Sequence, residues 1–343
     1  MEGPNAAHAR FAAQLRTMNV GELRLSDYCS KSLGRVVDAS DYYLDIYRYS
    51  LEKALEISGL SPAEITIVDY GGGHGILSVL AKRLEFERVI YVDSNPEAHF
   101  MARKVFEKFQ TGPDIMLQGD VETLKEWCAA NRVKPDALLA MDVIEHIYVL
   151  DEFFAALHTI SPSMSMVFTT ASTPFNKRVV RRLHHAMNVD EYGSGRKKGF
   201  RQLRRDHILH LHPDMPDKQL DYWAENTRGL IYSDIERAVE SQSPNLLLDA
   251  YNTCDPATGS WTERILPIDD YEHILLPYHF SLQVVPGRYN DHRHGPKEWM
   301  SRYYNKTIDK VKKTEPGTRR ERRQYRKALR VAPFLYLIVN ANR

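Results

Sequence analysis

The segment Ile65-Thr66-Ile67-Val68-Asp69-Tyr70-Gly71-Gly72-Gly73-His74-Gly75, followed by the apolar run Ile76, Leu77, Val79 and Leu80, constrains the fold more than any other part of this 343-residue chain. The apolar residues before the glycines read as a buried strand and those after them as a helix, joined by an abrupt turn. Glycines at 71, 73 and 75 let the backbone turn sharply and come close to a ligand, because a Cβ there would collide with it or forbid the required dihedrals. The spacing is G-x-G-x-G. A dinucleotide-binding loop needs G-x-G-x-x-G, and Ile76 stands where its third glycine belongs, so the reading turns away from NAD.

Beyond the loop the pattern continues. Arg88 to Val92 reads as a second strand ending at Asp93 and Ser94, and an acidic side chain at that tip can accept hydrogen bonds from both hydroxyls of a ribose. Ala98, Met101, Ala102, Val105, Phe106 and Phe109 recur at helical spacing and mark a crossover. Ile115 to Leu117 is a short third strand closed by Gly119 and Asp120, where a carboxylate can accept from the exocyclic amine of an adenine. Ala137 to Met141 is a fourth strand, ending in Asp142-Val143-Ile144-Glu145-His146. An alternation of this kind predicts an α/β chain with a parallel sheet.

Taken in order, these features make residues 65 to about 172 resemble class I S-adenosylmethionine-dependent methyltransferases. The resemblance implies a Rossmann-like, doubly wound, mostly parallel seven-stranded sheet with N-terminal helices and an inserted cap. It implies S-adenosylmethionine as cofactor, with Gly71, Gly73 and Gly75 admitting the methionine moiety, Asp93 the ribose, and Asp120 with Val121 the adenine. Asp69, Gly72, Ser94 and Asp142 complete the expected cofactor-binding set. A strand ending in Glu145-His146, then an amphipathic helix (Leu150, Phe153, Phe154, Leu157, Ile160), then a fifth strand over Met166 to Thr170 with Thr173-Pro174 after it, resembles the branch of ubiquinone-biosynthesis O-methyltransferases. Ser161-Pro162-Ser163 stands where that branch has Pro-Gly-Gly, which alters a turn and nothing catalytic.

Composition fits an enzyme with a full core. The net charge is +1, so no global field demands a nucleic-acid or membrane partner. No run approaches the ~20 apolar residues of a membrane span, and Met1 to Arg16 lacks the apolar core of a signal peptide. Cys29, Cys128 and Cys254 are far apart and read as buried free thiols of a reducing compartment, hence the cytoplasm.

The chain divides into four segments. Residues 1–62 read as a helical cover, in which Tyr42, Tyr43, Leu44, Tyr47 and Leu51 share one helix face, and Tyr43 and Tyr47 are lid candidates. Residues 63–173 form the cofactor-binding core. Residues 174–230 interrupt the alternation as a basic, histidine-rich cap, with Lys177, Arg178, Arg181, Arg182, Arg196, Lys197, Lys198, Arg201, Arg204 and Arg205 against Asp190, Glu191 and Asp206. Because it leaves the carboxyl end of the fifth strand, it is expected to touch substrate. Residues 231–343 complete the sheet: Tyr232 to Ser241 as a crossover helix, Leu246 to Tyr251 as the sixth strand, a basic helix around Arg319 to Arg330, and Phe334 to Asn340 as the last strand. His279 to Val285 is a β-like run without an assigned partner, and the C-terminal basic run reads as a solvated helix face.

The chemistry asked of such a protein is modest, since the sulfonium already carries an activated methyl group. The protein must align acceptor, methyl carbon and sulfur and exclude water. A hydroxyl acceptor must also lose a proton, and His146, with Glu145 beside it, is the expected catalytic pair, since an imidazole suits proton removal near neutral pH. The leading expectation is O-methylation of a small or glycan-like, anionic acceptor, with nucleic acid the less favoured partner. The rival is an RNA 2′-O-methyltransferase that holds a metal through Asp142, Glu145, His146 and a remote His184, His185, His210 or His212; it departs from that pattern by having Asp142 where Glu is usual, and no metal is expected. A non-catalytic binding protein would need a degenerate loop, and this loop is intact.

Overall fold

The structure is a computed structural model that describes residues 4–195, 197–247, 249–292, 296–311 and 317–341. Three helices open the chain: α1 (Pro4–Arg16), α2 (Asp27–Asp38) and α3 (Ser40–Ser58). Strands and helices then alternate as β1 (Thr66–Tyr70), α4 (Ile76–Arg83), β2 (Arg88–Asp93), α5 (Pro96–Phe109), β3 (Ile115–Gln118), α6 (Val121–Asn131), β4 (Ala137–Met141), α7 (Leu150–Ile160) and β5 (Ser165–Thr170). These five strands are parallel, and β1, β2, β4 and β5 are buried almost throughout because both faces of the sheet are covered.

Successive side chains of a strand point to opposite faces, and the two cores divide accordingly. Val68 and Tyr70 of β1, with Leu138 and Ala140 of β4, join Phe153, Phe154 and Leu157 of α7 on one face. Ile65 and Ile67, with Ala137 and Leu139, join Leu44 and Leu51 of α3, Leu77 and Leu80 of α4, and Val105 of α5 on the other. The N-terminal helices are therefore a layer of the core as well as a cover.

Beyond β5 the chain makes α8 (Lys177–Tyr192), a small ladder of β6 (Gly193–Ser194) with β7 (Lys197–Lys198), then α9 (Phe200–Leu211), α10 (Asp217–Asn226) and α11 (Tyr232–Glu240). It returns through α12 (Ile268–Leu275) to β8 (Phe280–Pro286), α13 (Pro296–Asp309), α14 (Arg319–Val331) and β9 (Leu335–Ala341). The seven-stranded sheet runs β3-β2-β1-β4-β5-β9-β8, and β9 is antiparallel to both neighbours, with Leu337 facing Phe168 and Val284. Strand order reverses between β1 and β4, so the crevice for a ligand lies past their carboxyl ends.

Two expectations of the C-terminal third are corrected. The sixth strand of the sheet is Phe280–Pro286, the β-like run whose partner had been open, and that partner is β9. Residues 246–251 form no strand among those described: Leu246 is 90 % exposed, and Leu248 lies outside the described residues. Helix α11 does form where a crossover was expected, but it packs on α9, and its Ile235 and Val239 join Ile208, Leu220 and Trp223 in a separate apolar cluster. The helical packing of the cap thus continues past residue 230.

Candidate active site

The glycine loop is shaped by three left-handed residues, Gly71 (φ 63°), Gly73 (φ 52°) and Gly75 (φ 72°), a conformation costly to any residue with a Cβ. The loop is anchored to β2, since the Gly71 and Gly72 amides donate to the Val92 carbonyl at 2.8 and 3.2 Å. A Cβ on Gly71 would meet Val143 at 2.5 Å, on Gly72 the Tyr91 ring at 2.5 Å, and on Gly75 the Phe106 ring. At Gly73 it would meet nothing nearer than 3.9 Å, so this glycine borders open space while the others are held by packing.

Two carboxylates frame the loop. Asp93 ends β2; its Oδ2 accepts from the Gly73 amide at 2.8 Å and its Oδ1 from the Asn95 amide at 2.8 Å. Each oxygen keeps a further lone pair that a ribose hydroxyl can use. Burial raises the Asp93 carboxyl from its ordinary value. Asp69, 2 % exposed, accepts instead from the Ser78 amide (3.1 Å) and hydroxyl (2.6 Å), fastening the first turn of α4 to β1. Burial pushes Asp69 up to about 7. Ser94 is exposed beside Asp93. Asp120 caps α6 by accepting from the Glu122 and Thr123 amides, and the Val121 amide is taken by the Tyr70 hydroxyl.

A cleft of about 400 Å³ opens over the carboxyl ends of β1, β4 and β5. Its floor holds Asp142, which has φ 54° at the end of β4 and whose Oδ1 accepts from the Thr169 hydroxyl at 3.3 Å. Asp142 is open to solvent within the concavity, and the surrounding protein together with Glu263 raises its carboxyl. Tyr43 and Tyr47, the lid candidates, both line the cleft, Tyr47 as a buried residue. Arg182 of α8, one of the cap cations expected to touch substrate, lines it as well, and two further lining residues escaped the sequence reading: His74 and Arg35 of α2. His74 Nδ1 accepts from the Ile76 amide at 3.2 Å, so its proton lies on Nε2, 3.3 Å from the Tyr47 hydroxyl. Burial lowers His74 to about 4, leaving it neutral and a poor base. Its place in the glycine loop was the available signal.

Glu145 and His146 lie in a 3-10 turn, Ile144–His146, behind this floor. Glu145 is 1 % exposed; its Oε1 accepts from the Ala171 amide at 3.2 Å, while Oε2 has no hydrogen-bond partner among the described residues. Burial, with Asp142 close by, raises its carboxyl well above the usual range. Its carboxyl is thus turned inward onto the loop after β5. His146 Nδ1 lies 2.7 Å from the Trp261 carbonyl, an acceptor, so Nδ1 carries the proton and Nε2 is left as the basic nitrogen. Among the described residues no three His, Cys, Asp or Glu side chains are grouped to hold a metal ion. His184 is bound to Asp249 at 2.9 Å and stacked on Tyr251.

The cap's basic charge divides into two parts. Residues of α9 are matched by acids: Arg204 with Glu191, Arg201 with Asp221 and Glu225, and Arg205 with Asp217 and Asp221. Lys177, Arg178, Arg181 and Arg182, at the start of α8, stay exposed and lead to the cleft.

A methyltransferase domain family matches this chain over residues 43–225, more than half of its length. The chain belongs to that family. The methyltransferase is an enzyme whose cofactor is S-adenosylmethionine, and the NAD alternative falls away. No curated protein matches it. Among solved structures it is similar to PKMT2 from Rickettsia typhi in complex with AdoHcy, at 13 % identity and a TM-score of 0.43, over 85 % of this chain and 52 % of that one. It is also similar to an S-adenosylmethionine dependent methyltransferase from Mesorhizobium loti, at 11 % identity and a TM-score of 0.39, over 84 % of this chain and 95 % of that one.

Proposed function

We propose that this methyltransferase transfers a methyl group to a hydroxyl oxygen of an acceptor carrying negative charge, whether small, glycan-like or nucleotide. The observation that carries this reading is the separation of charge in the cleft, with the Asp142 carboxylate on the floor and Arg35 and Arg182 at the rim. A floor of negative charge suits the cationic cofactor, and a guanidinium rim suits a phosphate, sulfate or carboxylate on the acceptor.

The residues present fit the cofactor. Gly73 borders open space, Gly71 and Gly75 turn the loop around it, Asp93 offers two oxygens to the ribose, and the exposed Asp120 stands at the adenine end. The bound cofactor supplies an activated methyl group and its leaving group. The protein's own part is orientation and proton removal. Asp93 and the glycine loop fix the ligand's position, Tyr43 and Tyr47 cover the cleft against water, and His146, which does not line the cleft but lies behind its floor near Asp142, is the base assigned to the hydroxyl proton through Nε2. Glu145 acts indirectly, by holding the Ala171 amide and thereby the cleft wall. Three buried free thiols accord with a cytoplasmic setting, and no helix among the described residues is long and apolar enough to cross a membrane.

The test is incubation with methyl-labelled S-adenosylmethionine and fractionated extract, followed by mass spectrometry of the labelled product. A methyl group on oxygen of an anionic acceptor is expected; a methyl group on nitrogen or carbon overturns the hydroxyl reading. With that acceptor, His146→Ala should lower turnover ~10²–10⁴-fold while S-adenosylhomocysteine affinity stays unchanged. Equal turnover in the variant removes His146 from proton transfer.

A further inference from the structure

The C-terminal basic run, read from sequence as a solvated face, adjoins something the sequence did not reveal. Helix α13 carries Trp299 and Tyr303 one turn apart, 73 % and 61 % exposed, with ring centroids 6.1 Å apart and planes inclined by 21°. Arg302 and Lys306 flank them and are exposed. The helix packs against α14, where Arg319, Arg323, Arg326 and Arg330 fall in one row by helical spacing, with Arg320 and Lys327 beside it. All six are exposed, and none has an ion-pair partner among the described residues.

This surface is continuous with the cleft. Arg178 of α8 donates to the Tyr304 hydroxyl of α13 at 3.2 Å, and Tyr304 pairs with Tyr289 at 5.4 Å. Asn176, capping α8, donates to the Ala332 carbonyl just after α14 at 2.9 Å. Pro333 and Phe334, the next residues, line the cleft together with Arg182. A track of guanidinium groups and exposed rings therefore runs from α13 and α14 along the start of α8 to the mouth.

We propose that this track binds single-stranded nucleic acid and delivers one of its nucleotides to the cleft, which deepens the anionic-acceptor reading and rests on it. Exposed rings stack bases whatever their sequence, and a line of arginines meets the backbone phosphates. An anionic membrane would also attract the charge. It needs a broad apolar face to enter, however, and here the exposed Trp299, Met300 and Tyr303 of α13 stand among Arg302 and Lys306, while Ala328 and Leu329 of α14 are buried against the core. The even total charge is no obstacle, because α9 of the cap pairs its arginines with acids while the cations of α14 and of the start of α8 stay exposed.

The experiment measures fluorescence anisotropy of the full-length protein with a labelled 20-nucleotide polyuridylate at 50 and 200 mM salt. Binding at 50 mM is expected, weakening on the order of 10- to 100-fold at 200 mM for three to five phosphate contacts. The double variant Trp299→Ala, Tyr303→Ala should lose about tenfold or more, and Arg323→Ser with Arg326→Ser should flatten the salt dependence. Both should keep wild-type affinity for S-adenosylhomocysteine, since neither alters the cofactor site. No polyuridylate binding at 50 mM salt, binding indifferent to both variants, or preferential binding of vesicles of 30 % phosphatidylserine in phosphatidylcholine would each overturn the proposal. Protein that binds S-adenosylhomocysteine and not polyuridylate sinks this inference alone, whereas failure to bind S-adenosylhomocysteine would strike the methyltransferase reading itself.

Discussion

Asp69 and Asp93 stand at the ends of adjacent strands and do different work. Asp69 is sealed under the loop, where its carboxyl is raised from 3.8 to about 7 by burial despite the two bonds from Ser78. The folded chain therefore binds a proton here that the unfolded chain has already released, so stability contributed by this group is complete below about pH 4 and is lost as pH rises through about 7. Relative to the Asp69→Asn variant, the wild type should lose on the order of 1–4 kcal/mol across that window, read by urea denaturation at several pH values. Parallel curves would show that Asp69 stays charged in the fold. Asp93 touches the site itself. Asp93→Ala should weaken S-adenosylhomocysteine binding by ~1–3 kcal/mol in calorimetry; unchanged affinity would remove it from the ribose. Both residues were legible in the sequence because each sits at a fixed place after an apolar strand. His74 and Arg35 were not, because no local spacing announces a meeting of distant elements, and Arg182 was visible only as one cation of the cap.

At the level of elements, the cap is held by a buried ion cluster, in which Glu191 pairs with Arg204 and stands 3.9 Å from Arg228. Arg204 and Glu191 are both 0 % exposed, 2.6 Å apart at their nearest atoms; Arg204 also donates to the Ala224 carbonyl, and Thr253 donates to Glu191 at 2.7 Å. Removing one partner leaves the other charged and buried, so Arg204→Ala should cost about 3–5 kcal/mol in thermal or urea unfolding. A loss below about 1 kcal/mol would mean that water reaches Glu191. The five parallel strands could be read from sequence because strands covered on both faces are continuous short apolar runs. The same rule misread residues 246–251, since a short apolar run by itself does not distinguish a buried strand from an exposed connection, and Leu246 lies on the surface. Strand β8 showed its character but not its partner, because antiparallel pairing with a segment about 55 residues away leaves no mark at either place.

Across the whole molecule, opposite charges are kept in different regions: carboxylates under and beside the cleft, arginines at its rim and along α14, and matched pairs inside the cap. This arrangement explains how a chain of net charge +1 presents a strongly basic side. The sheet also has an order of construction. Strand β9 lies between β5 and β8, although it is made after both. While the ribosome is still adding residues 171–334, β5 presents an unpaired edge and β8 has no place to dock. The nascent protein must therefore hold an unfinished, adhesive sheet for about half of its synthesis, and a chain released after residue 330 should aggregate in a sedimentation assay while the intact chain stays in solution. Completion of the sheet thus waits on the seven residues of β9, whose arrival closes β5 and gives β8 its partner.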